Sequence, residues 1–416
     1  MGVGFLVTST PWKRRTWAKP TIAALAQELT RIYRDCLGDP LLSERLTVTK
    51  DDAGVWAVWH PAEEGLYIEL LDDGRLQAQA KTSTVGPGYH ALLVRLLDRM
   101  AQDMSVEWDW AAEDEGDESG FALSRDFDAL QDEMVKWLAA LSSHVADDES
   151  AADSESRCSV CMPIAERSPR LAGMIATPMG ARTREWFADF ATDASVRRAA
   201  AMTFFPWWGM DRDAAFWKGI ADVLAWCELA WVPPRDESER RTMAFVQACY
   251  ERAGTESPER EELRELLLRE PAADAPRAGP IGYRRGTCTY PLFGGWTVEL
   301  PGHFQTDVLN DGGNLQLHDG RRAVYVSALK VDGLDAGSAI DKVIGDTQAE
   351  RWSDHHVMGA AYWDESELET SRHLMTSVAV DGRLLLLTIT VEEGEDDAAW
   401  AWKTAHSAFH PDLAST

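Results

Sequence analysis

The chain has 416 residues, 45% of them hydrophobic and 26% charged, with a formal net charge of −28. At the usual domain size of ~100–200 residues this length predicts two to four domains. There is enough apolar material for packed cores, which excludes wholesale disorder, a collagen-like chain or a disulfide scaffold. Acids outnumber bases 69 to 41, and such a balance repels phosphate backbones, disfavouring nucleic-acid binding by the chain as a whole. The charge is uneven: residues 106–157 hold 16 acids and 3 bases, a net of −13, whereas the first 35 residues carry a net of +4.

The six cysteines, Cys36, Cys158, Cys161, Cys227, Cys249 and Cys288, are scattered. The apolar run Val3–Val7 is too short for a signal sequence, and Lys13, Arg14 and Arg15 follow it instead of preceding it. No stretch approaches the ~18 apolar residues of a membrane span. A reduced, cytoplasmic protein without membrane contact is expected. The Ala-, Arg- and Asp-rich composition fits a bacterial source.

Region one, about residues 1–150, opens with a strand at Val3–Thr8. A helix follows from Pro20, with Ile22, Leu25, Leu29 and Tyr33 at helical spacing. Extended runs come next at 46–48, 55–59 and 66–71. Asp72-Asp73-Gly74 turns the chain into a further run at 76–81. Helices are predicted from Tyr89 and from Ser124-Arg125-Asp126.

After the acidic, Ser-rich stretch 146–156, region two (157–270) starts with short strands near 158–164 and 173–177. It becomes helical: Phe216 to Trp231 form one stripe stopped by Pro233-Pro234, Asp236 and Glu239 make a capping box, and Ser257-Pro258 starts another helix. Residues 270–286 read as a Pro/Ala/Gly linker. Region three (285–412) alternates extended runs at 296–300, 314–318, 323–329, 357–363, 368–380 and 383–391 with helices at about 336–352 and near Trp400–Phe409. The whole predicts a multi-domain α+β protein, antiparallel sheets with flanking helices and a helical middle segment.

The segments YPLFGGWTVELPGHF (Tyr290–Phe304) and LQLHDGRRAVYVSAL (Leu315–Leu329), with the closing amphipathic helix, make residues 285–412 resemble the Mog1/PsbP-like α/β sandwich. The resemblance rests on layout and carries over no functional residue. It implies a fold whose members mostly bind proteins.

Several segments invite a functional reading. In Lys81–His90, between a strand and a helix, Gly86 and Gly88 allow backbone N–H groups to converge on an anion, and Ser83, Thr84 and His90 add donors. It lacks a complete phosphate-loop signature, and a tight strand-to-helix turn is the alternative. Thr10–Thr16 and Thr177–Thr183 both fit Thr-Pro-x-x-x-Arg-Thr, so Arg15 and Arg182 could occupy equivalent strand ends in a duplicated unit, or the match is coincidence.

Cys158 and Cys161 form one Cys-x-x-Cys without the second pair that zinc requires; two buried thiols on a strand are expected. His355 and His356, adjacent on a strand, point to opposite faces and predict no metal site. No catalytic signature appears. The 18 tryptophans include the run Phe204-Phe205-Pro206-Trp207-Trp208-Gly209. Its aromatics are awkward to bury completely, so Phe205, Trp207 and Trp208 are expected to form a docking surface or an interdomain contact.

The reading that follows is a cytoplasmic, non-catalytic adaptor or accessory protein of a multi-protein system. It has a protein partner, held through Trp12, Lys13, Arg14 and the aromatic run, and no cofactor or metal. The alternatives are a phosphate-binding, enzyme-like protein using the Gly-Pro-Gly loop, and nucleic-acid contact through the basic turn Trp12–Lys19.

Overall fold

The computed structural model describes residues 2–12, 20–60, 62–112, 116–147, 160–161, 174–234, 236–254, 256–269, 282–309, 314–354, 357–364, 371–392 and 395–410. Two compact units emerge. The first takes in residues 1–168 and 173–272; the second runs from Tyr283.

The first unit begins with β1 (Gly4–Ser9), α1 (Ile22–Leu37) and α2 (Pro40–Ser43). An antiparallel meander follows: β2 (Thr47–Lys50), β3 (Gly54–Val58), β4 (Leu66–Leu70) and β5 (Leu76–Lys81). Then come α3 (Pro87–Met104), the two-residue strands β6 (Trp108–Asp109) and β7 (Gly116–Asp117), α4 (Phe121–Ser124) and α5 (Phe127–Asp147). The sheet order is β2-β3-β4-β5-β1-β6, with β7 also pairing β1. Strand alternation sets its two faces. Phe5 and Val7, Leu76 and Ala78, Leu66 and Ile68, and Val55 and Ala57 point inward and are buried. The helices α1 and α3 supply Leu25, Leu29, Ile32, Leu93 and Leu97 to the core. Local chemistry starts each helix where the spacing predicts. Thr21 accepts the Ala24 N–H for α1, Pro87 occupies the first turn of α3, and Asp126 accepts the Ala129 N–H for α5.

Region two adds β8 (Met174–Ile175), β9 (Arg182–Thr183) and five helices: α6 (Arg184–Thr192), α7 (Arg197–Phe204), α8 (Ala214–Cys227), α9 (Glu237–Ala253) and α10 (Pro258–Leu268). The caps read from sequence are present, Asp236 accepting from Glu239 N–H and Ser257 from Arg260 N–H. Regions one and two, expected as separate domains, form one unit. The reason is a shared core: Phe187, Phe190, Phe204 and Phe205 pack with Val3, Val94, Phe121, Leu130, Met134 and Leu138. Polar ties add to it. Arg45 holds Glu228 through two hydrogen bonds of 2.9 Å, Arg252 meets Asp39 at 2.6 Å, and Arg212 donates to the Cys36 and Leu37 carbonyls. A duplicated α+β unit is not what region two builds among the described residues, since β8 and β9 form only a two-stranded ribbon before the helices.

The second unit contains β10 (Thr287–Pro291), β11 (Thr297–Pro301), β12 (Gln305–Leu309), β13 (Asn314–His318), β14 (Ala323–Lys330), α11 (Ala336–Ile344), β15 (Glu350–Asp354), β16 (Val357–Asp364), β17 (Ser371–Val380), β18 (Arg383–Glu392) and α12 (Glu395–His406). Seven strands form one antiparallel sheet in the order β12-β13-β14-β18-β17-β16-β15, and β10 and β11 form a separate hairpin. On one face Leu317, Val324, Leu385 and Ile389 pack with Val298 of β11 and with Ala401 and Ala405 of α12. On the other, Ala339 and Ile340 of α11 cover Ala360, Ala379 and Leu384. The helix predicted to run to about 352 stops at Ile344. Gly345 adopts φ 57°, and Glu350–Asp354 pairs with β16 instead. The chain is thus a multi-unit α+β protein with antiparallel sheets, flanking helices and a helical middle segment.

The aromatic run explains how the first unit closes. The Trp207 N–H donates to the Val85 carbonyl, and the Gly88 N–H donates to the Trp207 carbonyl, each at 3.0 Å. A Cβ on Gly88 would lie 2.1 Å from the Gly209 carbonyl oxygen, so only glycine allows this approach. Gly88→Ala is therefore expected to cost about 2 kcal/mol or more, and Trp207→Ala about 3–5 kcal/mol. Urea denaturation followed by far-ultraviolet circular dichroism measures both; a Trp207→Ala midpoint equal to wild type would remove this contact from the core.

Candidate functional site

Among the described residues the sheet of the first unit has helices on one face only. On its other face residues of β1, β3 and β5 floor an open cleft of about 760 Å³. Antiparallel sheets tolerate such half-coverage when the outer face is polar, yet here Trp56 and Leu6 lie beside Gln79. Trp56 and Tyr67, a cross-strand pair, have ring centroids 4.6 Å apart, tilted by 34°. One wall is formed by residues 110–112 and 116–118, with Trp110, Gly116 and Glu118. The other is Glu64-Gly65, continued by Lys81. Gly65 has φ 96°, and a Cβ there would sit 3.0 Å from Val58 and 3.3 Å from the Trp56 ring.

Each wall hangs on a buried polar anchor. Behind Glu64 lies Glu63, whose Oε1 accepts the His60 N–H at 2.7 Å and also the Trp59 N–H. The His60 Nδ1 accepts the Ala62 N–H at 3.1 Å, which assigns the ring proton to Nε2. Burial pushes the Glu63 carboxyl up to about 8, against the pull of the two backbone donors. Burial, with the charge of Arg45, pulls His60 down to about 3. Behind the opposite wall, Asp117 of β7 lies 3.2 Å from His90 Nε2 and accepts from Ser119 Oγ and Ala122 N. Burial would raise its carboxyl, but His90 and these donors bring it to about 2. The other ring nitrogen of His90 lies 2.8 Å from Thr82 Oγ1, itself bonded to the Val3 carbonyl. This Asp-His-Thr chain is sealed: His90 and Thr82 are fully buried, and the chain joins three segments of backbone.

The residues first expected to bind ligand or partner have other work. Ser83, Thr84, Gly86, Gly88 and His90 are all buried. The N–H groups of Val85, Gly86, Gly88 and His90 donate to protein carbonyls, which corrects the anion-loop expectation: Trp207 covers the loop. The hydroxyls of Ser83 and Thr84 and the Trp207 Nε1 are buried without a hydrogen-bond partner among the described residues. Arg182 donates to the Ala181 and Thr203 carbonyls and lies over Trp186.

Phe205 and Trp207 are 1% and 2% exposed, so they serve as internal contact and not as docking surface. Trp208, half-buried, stacks on Phe205 under Arg198, and its carbonyl accepts from Gln131. Trp12 is buried, its N–H bonded to the Gly74 carbonyl. Lys13, Arg14 and Arg15 lie outside the described residues, as do Cys158, His355 and His356. Cys161 sits in a bend with φ 57°, not in a strand, and burial pushes its thiol up to about 12. Among the described residues no group of side chains is arranged to hold a metal ion, and no helix is long and apolar enough to cross a membrane.

The cleft residues Trp56, Tyr67 and Trp110 were not singled out from sequence. Their signal was the outward phase of two large aromatics on strands whose inward phase was already apolar.

No family model matches the chain, and no curated protein matches it. A solved structure from Bacteroides thetaiotaomicron shows a likeness at 12% identity and a TM-score of 0.25, over 29% of this chain. The match spans 46% of that protein's length.

The Glu63–His60 anchor has a pH signature. An unfolded chain releases the Glu63 proton near 4.5 while the fold keeps it to about 8, so its contribution is lost as pH rises through that window. An unfolded His60 takes up a proton near 6.5 while the fold resists to about 3, so stability is also lost as pH falls below 6.5. Thermal melts from pH 4 to 9 are expected to show Glu63→Gln losing less stability than wild type on the alkaline limb, by roughly 3–5 kcal/mol across the window. Parallel curves for the two proteins would refute the buried acid.

Proposed function

We propose that this is a cytoplasmic, non-catalytic protein-binding component of a multi-protein assembly, and that the cleft on the open face of the first sheet is where it takes a segment of its partner. The observation that carries this reading is a half-buried aromatic pair, Trp56 and Tyr67, on the uncovered face of a sheet whose other face already has a full core. A pocket of this size suits a short stretch of polypeptide or a comparable ligand, and tryptophan and tyrosine are the residues that most often anchor interfaces. The strongly perturbed groups beside it, Glu63 and His60 on one side and Asp117 on the other, hold backbone in place and leave the cleft itself without a poised acid, base or nucleophile. Residues 285–412 are read as a Mog1/PsbP-like sandwich; a seven-stranded antiparallel sheet with a helix on each face supports that.

A displayed library of random heptapeptides panned on the full chain tests the cleft. Enriched peptides are expected to lose about tenfold or more in affinity, some 1.4 kcal/mol, on Trp56→Ala, measured by titration calorimetry. Peptides that bind wild type and Trp56→Ala equally would overturn the assignment.

A further inference from the structure

We infer that the occupant of this cleft is a cationic segment of another protein, an extended stretch bearing lysine or arginine side chains that seat against Trp56 and Trp110. The inference rests on the docking reading above and adds the partner's chemistry to it.

The argument is electrostatic and geometric. Glu64 and Glu118 line the cleft, Glu118 also accepting the Gly4 N–H at 2.8 Å, with the buried, His90-paired Asp117 behind the wall, against a single lining cation, Lys81. That cation is already paired, its Nζ 2.9 Å from Glu64. Further carboxylates stand along the same face: Asp51 lies 3.5 Å from the Tyr67 hydroxyl, and Glu69 follows Tyr67 in the outward phase of β4. Together with burial, their charges push the Tyr67 phenol up, an internal sign of negative potential over this face. The chain as a whole carries a net charge of −28. Fields of this sign, focused in a concave site, attract cations and repel anions.

The surface under that field is aromatic. An ammonium or guanidinium over an indole face gains roughly 0.5–2 kcal/mol, most when partly desolvated. The side chains' aliphatic stems would cover Leu6 and the ring edges while their heads meet the carboxylates at the rim. The fold uses this pairing elsewhere: Arg252 lies 4.4 Å from the Trp217 ring, and Arg322 lies 4.6 Å from Trp400 while pairing with Asp319. A neutral apolar segment would satisfy the aromatics and leave the carboxylates to be desolvated unpaired. An acidic one would be repelled.

Three synthetic nonapeptides of matched length and apolar content, carrying three arginines, three glutamines or three glutamates, distinguish the outcomes by calorimetry on the full chain. The arginine peptide is expected to bind at least tenfold more tightly than the glutamine peptide, with affinity falling about tenfold between 50 and 300 mM salt. Glu64→Gln with Glu118→Gln is expected to weaken it several-fold. Lys81→Gln is expected to strengthen it, a gain that damage to the fold would not produce. Thermal melts check that each variant stays folded. Equal, salt-independent binding of the arginine and glutamine peptides, abolished by Trp56→Ala, would overturn the cationic inference while keeping the docking site. Binding by none of the three, or binding indifferent to Trp56→Ala, would overturn both.

Discussion

A β-sheet has two faces, and the described residues of the first unit cover only one of them. Helices α1 and α3 take the inward residues of all the long strands into a core, and nothing among the described residues matches them on the outside. The outer face therefore meets water, and its composition becomes informative. Glutamine and threonine there need no explanation. A tryptophan–tyrosine pair in contact there does, because exposed aromatic area has a standing cost in water that a partner can relieve. The open face makes the cleft, and the core behind it makes the cleft stiff.

That stiffness comes from unusual places. Both walls are short connections, which would ordinarily be the most mobile parts of such a sheet. Each is instead tied to a buried ionisable side chain. Glu63 gathers two backbone N–H groups at the start of its loop, and Asp117 gathers His90, Ser119 and the Ala122 N–H. Buried charge or near-charge is a poor source of net stability, but it tolerates few alternative arrangements. The two anchors give up some stability and in return define where Glu64, Gly65 and Glu118 stand. Restricting the walls in advance lowers the ordering cost that binding would otherwise carry.

The elements that could be read from sequence are those whose signals are local. The stripes of α1, α3, α5 and α8, the caps Asp236 and Ser257, and the Asp-Asp-Gly turn lie within a few residues of what they specify. Other features depend on distant partners. Phe205 and Trp207 look like an exposed patch until the loop at Val85–Gly88 is placed against them, about 120 residues earlier in the chain, and no local pattern announces that meeting. The same contact decided the fate of the Gly-Pro-Gly loop: its glycines are needed for close approach, as expected, but of another backbone instead of an anion. Helix α11 ends at Ile344, short of the predicted 352, because Gly345 adopts a positive φ there. The cleft was half legible. Val55–Trp59 is apolar at every position, so its period was hidden, and only the pairing of Trp56 with Tyr67 shows which side faces out.

The interlocking of the first unit also bears on the order in which the protein can be made. Its amino-terminal sheet and helices are complete in sequence by Asp147, yet the cavity at the start of α3 stays unfilled until Phe204–Trp208 arrives. At ordinary rates of synthesis, ~5–20 residues per second, the growing chain would wait several seconds between those two points. During that interval the apolar surface around Val85, Tyr89 and Trp59 has no covering, and the nascent chain is at its most vulnerable to non-native association. The strong net charge of residues 106–157, which end the first half and run on past it, is present throughout the wait, and like charge on neighbouring nascent chains is a barrier to their sticking together.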